Sequence, residues 1–209
     1  MTAQGRKRRR PQTAERGQLR IIGGDWRRRQ LGFPAVDGVR PTPDRVRETL
    51  FSWLQGHLPG SHCLDLFAGS GVLGLEALSR GAASATFVDQ SPRLCQALKE
   101  NLATLGGGDR GLVVQQSCLE FLSRHNARPG QLVFMDPPYG QGDITALCQS
   151  LEQHQWLSER AFVCVEQSSS APPPVVPAHW RLHRHKSAGQ VSLHLYQRDR
   201  DQPKGLEGP

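Results

Sequence analysis

The sequence predicts an α/β fold: a mostly parallel seven-stranded sheet with helices on both faces, closed by an antiparallel hairpin and preceded by a small β-hairpin and helix. Three observations carry this prediction. From residue 62 onward, short apolar runs alternate with stretches of helical periodicity, the pattern of repeated βα units whose strands are buried on both faces. Gly69, Gly71 and Gly74 stand between the first such run and the first such helix, as G-x-G-x-x-G. Two final β-rich runs, 180–186 and 190–197, are separated only by Ser187-Ala188-Gly189 and read as a hairpin.

Taken in order, residues 1–18 hold almost no large apolar side chain and are expected to form a disordered basic arm. Residues 19–60 form a hairpin and helix extension. In it Leu19–Ile22 is a strand, Gly23-Gly24 a turn, and Asp25–Leu31 the second limb of a hairpin. A helix follows: Thr42 can cap it, Pro43 suits its first position, and Asp44 and Glu48 lie near the positive end of its dipole. Val46, Leu50, Phe51, Trp53 and Leu54 give it an apolar stripe. Residues 61–198 form the main domain. Its strands are 62–67, 85–89, 112–114, 131–135 and 161–166, and its helices 72–80, 91–102, 118–124 and 144–153, before the hairpin. Residues 199–209 are polar and read as a frayed tail.

Composition narrows the function. At 209 residues the chain accommodates one full domain. Its apolar runs are too short to span a bilayer, and no apolar segment follows the basic start as a secretory signal requires. Five scattered cysteines with no C-x-x-C pair argue against a disulfide scaffold or zinc site and point to a reducing cytoplasm, and one compact domain makes a monomer the default expectation. The charge is uneven. Residues 1–60 carry 13 Lys and Arg against 5 Asp and Glu, and the remainder 13 against 14, so the whole excess of +7 lies at the N-terminus. Such concentration is the footprint of a polyanion partner. For Arg6–Arg10 alone a solvated basic tail is the competing reading.

Ligands in such folds bind at the carboxyl ends of the strands. That rule selects the segments 65–71, 89, 116–118 and 136–139. The glycine turn permits close backbone approach to a ligand beside a helix N-terminus, although such turns also simply join strands to helices. Asp89 ends the second strand 20 positions after Gly69, where an acid can accept both hydroxyls of a ribose or cap the next helix. Asp136-Pro137-Pro138-Tyr139 follows the fourth strand. Its prolines remove two N–H donors, leaving the Asp136 carboxylate and the Pro137 carbonyl to grip an amino group, with the Tyr139 ring offered for stacking.

Together these residues resemble the class I S-adenosylmethionine-dependent methyltransferases, a Rossmann-like fold, and among them the enzymes that modify amino nitrogens through a D/N-P-P-Y/F loop. The resemblance implies S-adenosylmethionine as cofactor. Asp65, Phe67, Ala68, Gly69, Ser70 and Gly71 would hold its methionine end, Asp89 with Gln90 its ribose, and Ser117 with Cys118 would border adenine. The segments Leu19–Arg27, Arg40-Pro41-Thr42, Arg45–Phe51, Asp65–Gly71 and Ala188–Val191 look like those of the RsmD family. Members methylate N2 of one guanine in small-subunit (16S) ribosomal RNA, which implies rRNA, in a ribosomal particle, as partner. Asp136, Pro137, Pro138 and Tyr139 would be catalytic. Arg27, Arg28, Arg29, Arg40, Thr42, Arg45 and Arg47 would meet RNA, with an exposed helix face as the competing reading for Arg45 and Arg47. The same loop serves DNA adenine-N6 and protein glutamine acceptors, and a non-enzymatic RNA-binding protein on this scaffold is a third reading. The N-terminal segments favour RNA, and the intact loop favours an enzyme.

Overall fold

A computed structural model describes residues 16–36, 41–124, 128–138 and 143–199. Its strands are β1 (Arg16–Arg20), β2 (Gln30–Pro34), β3 (His62–Asp65), β4 (Ser84–Asp89), β5 (Gly111–Gln115), β6 (Gly130–Met135), β7 (Leu157–Ser168), β8 (Trp180–Ala188) and β9 (Val191–Arg198). Its helices are α1 (Asp44–Trp53), α2 (Val72–Ser79), α3 (Pro92–Thr104), α4 (Cys118–Leu122) and α5 (Ile144–Gln153). The main sheet has the order β5-β4-β3-β6-β7-β9-β8. Its first five strands are parallel, and β9 enters antiparallel between β7 and β8. The mostly parallel seven-stranded sheet and its terminal hairpin are as expected. Among the described residues no helix is long and apolar enough to cross a membrane.

Two expectations about the N-terminus need correction. The first strand starts at Arg16, inside the stretch expected to be a disordered arm; residues 1–15 lie outside the described residues. Its partner is not Asp25–Leu31. Leu19 stands opposite Leu31 and Arg20 opposite Gln30, so β2 runs on to Pro34, and residues 21–29 form a broad loop instead of a two-glycine turn. Burial explains the choice of register: Leu19, Leu31 and Phe33 all turn inward, and the loop is pinned by buried Ile21 and Trp26.

The extension packs as part of the main core. One cluster joins Ile21, Trp26, Leu50 and Phe51 to Leu75, Phe87, Leu98 and Phe134 on one face of the sheet. A second fills the other face between the sheet and α4 and α5, with Val133, Met135, Leu147, Leu151 and Val163. Full burial of each large apolar side chain contributes about 1.5–3 kcal/mol. A polar knot fixes the junction. Glu76 of α2 is fully buried and accepts the N–H groups of Ile22 (2.9 Å) and Gly23 (2.8 Å), with Arg47 (3.3 Å) and Arg80 (2.7 Å) as its cationic partners. Ser79 closes the seam by accepting Trp26 N–H at 2.9 Å and donating to the Gly23 carbonyl at 2.6 Å.

Candidate active site at the carboxyl rim

The strand order reverses between β3 and β6, the switch point where open α/β sheets bind ligands. Asp65 ends β3, level with Phe87 of β4 and Phe134 of β6. Asp89 and Asp136, each two residues beyond those partners, therefore overhang the same rim. A cavity of about 470 Å³ lined by His62, Gln131 and Leu157 lies at the opposite end, where these strands begin.

The glycine turn is shaped from both sides by acids. Gly69 and Gly71 have φ of 53° and 78°, where a side chain is strained. A Cβ on Gly74 would fall 2.3 Å from the Phe87 ring, so glycine there lets α2 lie against β4. Asp65 Oδ2 accepts Gly74 N–H at 3.0 Å, and Asp89 accepts Gly69 N–H at 2.8 Å and Ser91 N–H at 2.7 Å. Ala68 is buried and donates to Val88 O at 2.9 Å; Ser70 is buried and Phe67 half-buried. The turn's shape is thus set by the protein's own bonds. Asp65 is buried, which pushes its carboxyl up to about 7; the Gly74 bond opposes this and the Asp89 charge adds to it.

Across the switch point stands a pair of acids. Met135 is opposite Val165 in the parallel β6–β7 ladder, so the next residues, Asp136 and Glu166, stand side by side. Burial, then the Glu166 charge, then Asp65, push the Asp136 carboxyl up to about 8. Burial pushes Glu166 up to about 7, opposed by the Thr42 hydroxyl, which donates to its Oε2 at 3.0 Å. Two neighbouring carboxylates of this kind cannot both ionise cheaply, so near neutral pH the pair tends to hold a proton. Pro137 is buried and Pro138 exposed, while Tyr139 lies outside the described residues.

On the expected adenine side, Ser117 caps α4: its hydroxyl accepts Glu120 N–H at 3.3 Å and donates to Glu120 Oε2 at 3.0 Å. The Cys118 thiol is buried and pushed up to about 12 by that burial. These two residues offer a base an edge to lie on more than free polar groups. Gln90 is exposed directly after Asp89.

The basic residues divide. Arg27, Arg28, Arg29 and Arg45 are exposed, with Arg29 also donating to Thr104 O at 3.2 Å, and Arg40 lies outside the described residues. Arg47 and Thr42 do not face RNA as expected. Arg47 is 1% exposed and is held by Asp44, Glu76 and the carbonyls of Thr42 and Arg20. Thr42 is buried against Glu166, and α1 starts without a side-chain cap. Sequence reasoning missed Glu166 as a site residue. It follows an apolar run within β7 and belongs to no motif; only the β6–β7 register places it beside Asp136.

Known proteins resemble this chain in sequence and in fold. The sequence model of the family described as conserved hypothetical protein 95 matches residues 19–197. Ribosomal RNA small subunit methyltransferase D of Escherichia coli strain K12 is 48% identical over 189 residues, covering 90% of this chain and 94% of that protein. A solved structure of a putative methyltransferase, yhhF, from Escherichia coli is 49% identical and superposes with a TM-score of 0.80, covering 88% of this chain and 99% of the other. An RNA methyltransferase from Salinibacter ruber, solved with S-adenosyl-L-homocysteine, shares the fold at 16% identity, with a TM-score of 0.57 over 81% of this chain and the whole of that one.

Proposed function

Because the chain belongs to the conserved hypothetical protein 95 family, that of ribosomal RNA small subunit methyltransferase D, we propose that it methylates the exocyclic N2 of a guanine in small-subunit rRNA within a ribosomal particle. The protein is an S-adenosylmethionine-dependent methyltransferase. The observation that carries the finer reading is the Asp136–Pro137 step at the switch point, with Glu166 beside it and the glycine turn across from it.

The rim suits the cofactor. Asp65, Asp136 and Glu166 are raised by burial, and among the described residues none has an ion-pairing cation. A ligand carrying a sulfonium and an ammonium meets that deficit. S-adenosylmethionine supplies, when bound, an activated methyl group, so no covalent enzyme intermediate is needed. Asp65 and the turn 67–71 would hold its methionine end and Asp89 its ribose.

The remaining work is positioning. The Asp136 carboxylate and the Pro137 carbonyl each accept one N–H of the target amino group, and the two prolines ensure that no backbone donor competes. The guanine nitrogen is conjugated with its ring and is a poor nucleophile. Acceptors placed for a pyramidal nitrogen favour the transition state over the planar ground state. When the N–C bond forms, the nitrogen releases a proton to the Asp136–Glu166 pair, which passes it to solvent. A stacked guanine cannot reach this rim, so the target base is extruded or already looped out. Exposed Arg27, Arg28, Arg29 and Arg45, with Arg40, would meet phosphates.

The test is transfer of labelled methyl from S-adenosylmethionine to small-subunit particles from cells lacking the gene, beside naked rRNA, duplex DNA and total protein. Label in particle RNA is expected. Label confined to DNA or protein would overturn the substrate reading.

A further inference from the structure

From Gln167 to Arg198 the chain contains no Asp or Glu. Of the four Lys and Arg in this stretch, Arg198 is buried and paired with Glu152 at 2.7 Å. The other three, Arg181, Arg184 and Lys186, lie on the edge strand β8 and are exposed. Among the described residues no carboxylate lies within ion-pair distance of any of them.

An irregularity in the strand aligns these charges. Arg181 and Lys186 are five apart, and strict alternation would send them to opposite faces. The β8–β9 register shifts between Leu182 and Arg184. As a result Arg184 stands opposite Leu195 and Lys186 opposite Leu193, while Arg181 stands opposite Gln197. Leu193 and Leu195 belong to the core cluster under the N-terminal extension, so all three cations point to the extension's face of the sheet. His183, at the register shift in β8, has its ring 5.3 Å from that of Phe162, which belongs to the same core cluster and also meets His57 at 4.4 Å. Bulges re-aim side chains in this way. Charges on an edge strand also deter edge-to-edge pairing, but that task needs neither one sign nor one face.

We propose that this stripe on β8 is a second RNA contact, gripping the phosphate backbone beside the catalytic rim. Arg181 to Lys186 spans about 17 Å at the rise of a strand. Lys186 is level with Leu193, which pairs with Glu166, so the stripe ends two strands, or about 10 Å, from the acid pair. RNA fits better than an acidic protein because the exposed Arg27, Arg28, Arg29 and Arg45 of the extension carry the same sign. The contact rests on the rRNA substrate proposed above, and its test is separable from it.

The experiment uses the full chain with Arg181, Arg184 and Lys186 changed to Gln, and a second variant carrying only Arg184→Glu. Binding to poly(U) and to small-subunit particles is measured against salt without turnover, alongside cofactor binding and thermal melting. For three lost phosphate contacts the slope of log affinity against log salt should fall by about 2. The KM for particles should rise about tenfold or more at moderate salt, with kcat, cofactor affinity and melting unchanged, and Arg184→Glu should move slope and KM the same way. An unchanged slope and KM would overturn the proposal, leaving a solvated edge. Weaker particle binding with unaltered poly(U) binding would overturn it too, by placing a ribosomal protein on the stripe. A reduced slope in a protein that never methylates RNA would leave the stripe standing and remove the substrate reading instead.

Discussion

Replacing Glu166 with Gln removes one charge beside Asp136 while keeping shape and hydrogen-bonding capacity. Neighbouring strands are about 4.8 Å apart. Two unit charges about 5 Å apart interact by about 3 kcal/mol at an effective dielectric constant of about 20. At about 1.4 kcal/mol per pKa unit this bounds the shift at about two units. Asp136 is half-buried and partly screened, which brings the expectation to about one. The sign follows from the repulsion: Glu166 holds the Asp136 carboxyl up, so its loss lets Asp136 ionise at lower pH. If Asp136 acts as carboxylate, the acid limb of kcat/KM for RNA, measured with labelled methyl at saturating cofactor from pH 5.5 to 9, should move down by about one unit in Glu166→Gln. Thr42→Val should move it in the same direction by less. Loss of the Thr42 hydroxyl raises Glu166 and leaves it more often neutral. A limb that stays in place or moves up in Glu166→Gln would refute the coupling.

The other predictions test separate parts of the rim and its foundation. Asp136→Ala should lower kcat by about 10²–10³-fold or more, on the scale of losing a group aimed at the reacting centre; calorimetry showing cofactor affinity lost to the same degree would contradict its placement toward the acceptor. Asp89→Ala should weaken cofactor binding by about 10–100-fold, the range of charge-assisted hydrogen bonds worth about 1.5–3 kcal/mol, and an unaltered dissociation constant would remove the ribose contact. Cofactor binding near pH 7.5 should release protons, because a cation favours the ionised forms of three carboxyls raised to about 7–8, and affinity should rise from pH 6 to 8. Identical calorimetric heats in buffers of different ionisation enthalpy would argue against it. Arg47→Ala should cost about 3–5 kcal/mol in denaturant unfolding by leaving Glu76 and Asp44 short of a buried partner. A change under about 1 kcal/mol would mean the knot is ornamental.

What could be read from the residues in advance was what local chemistry determines. The glycine spacing, the acid 20 positions on and the Asp-Pro-Pro step each state their backbone needs within a few residues, and the structure brings all three to one rim. The extension was harder. Gly23-Gly24 advertises a tight hairpin, yet burial of Ile21 and Trp26 and the grip of Glu76 on Ile22 and Gly23 outweigh local turn preference. Arg47 reads as one more cation on a basic helix, because nothing nearby in sequence announces the Glu76 carboxylate 29 residues away. Thr42 reads as a cap for the same reason: its partner Glu166 lies 124 residues on. The stripe on β8 was hidden twice, by a near-zero charge over residues 61–209 and by alternation that a register shift overrides.

The central claim is that this rim presents acceptors to the exocyclic amino group of a guanine. The most direct test is to digest the RNA of particles methylated in vitro to nucleosides and identify the product by mass spectrometry against standards. N2-methylguanosine as the newly formed methylated nucleoside, absent with Asp136→Ala, is the predicted result. N6-methyladenosine, a ring-nitrogen product such as N1-methylguanosine, or no methylated nucleoside would contradict it.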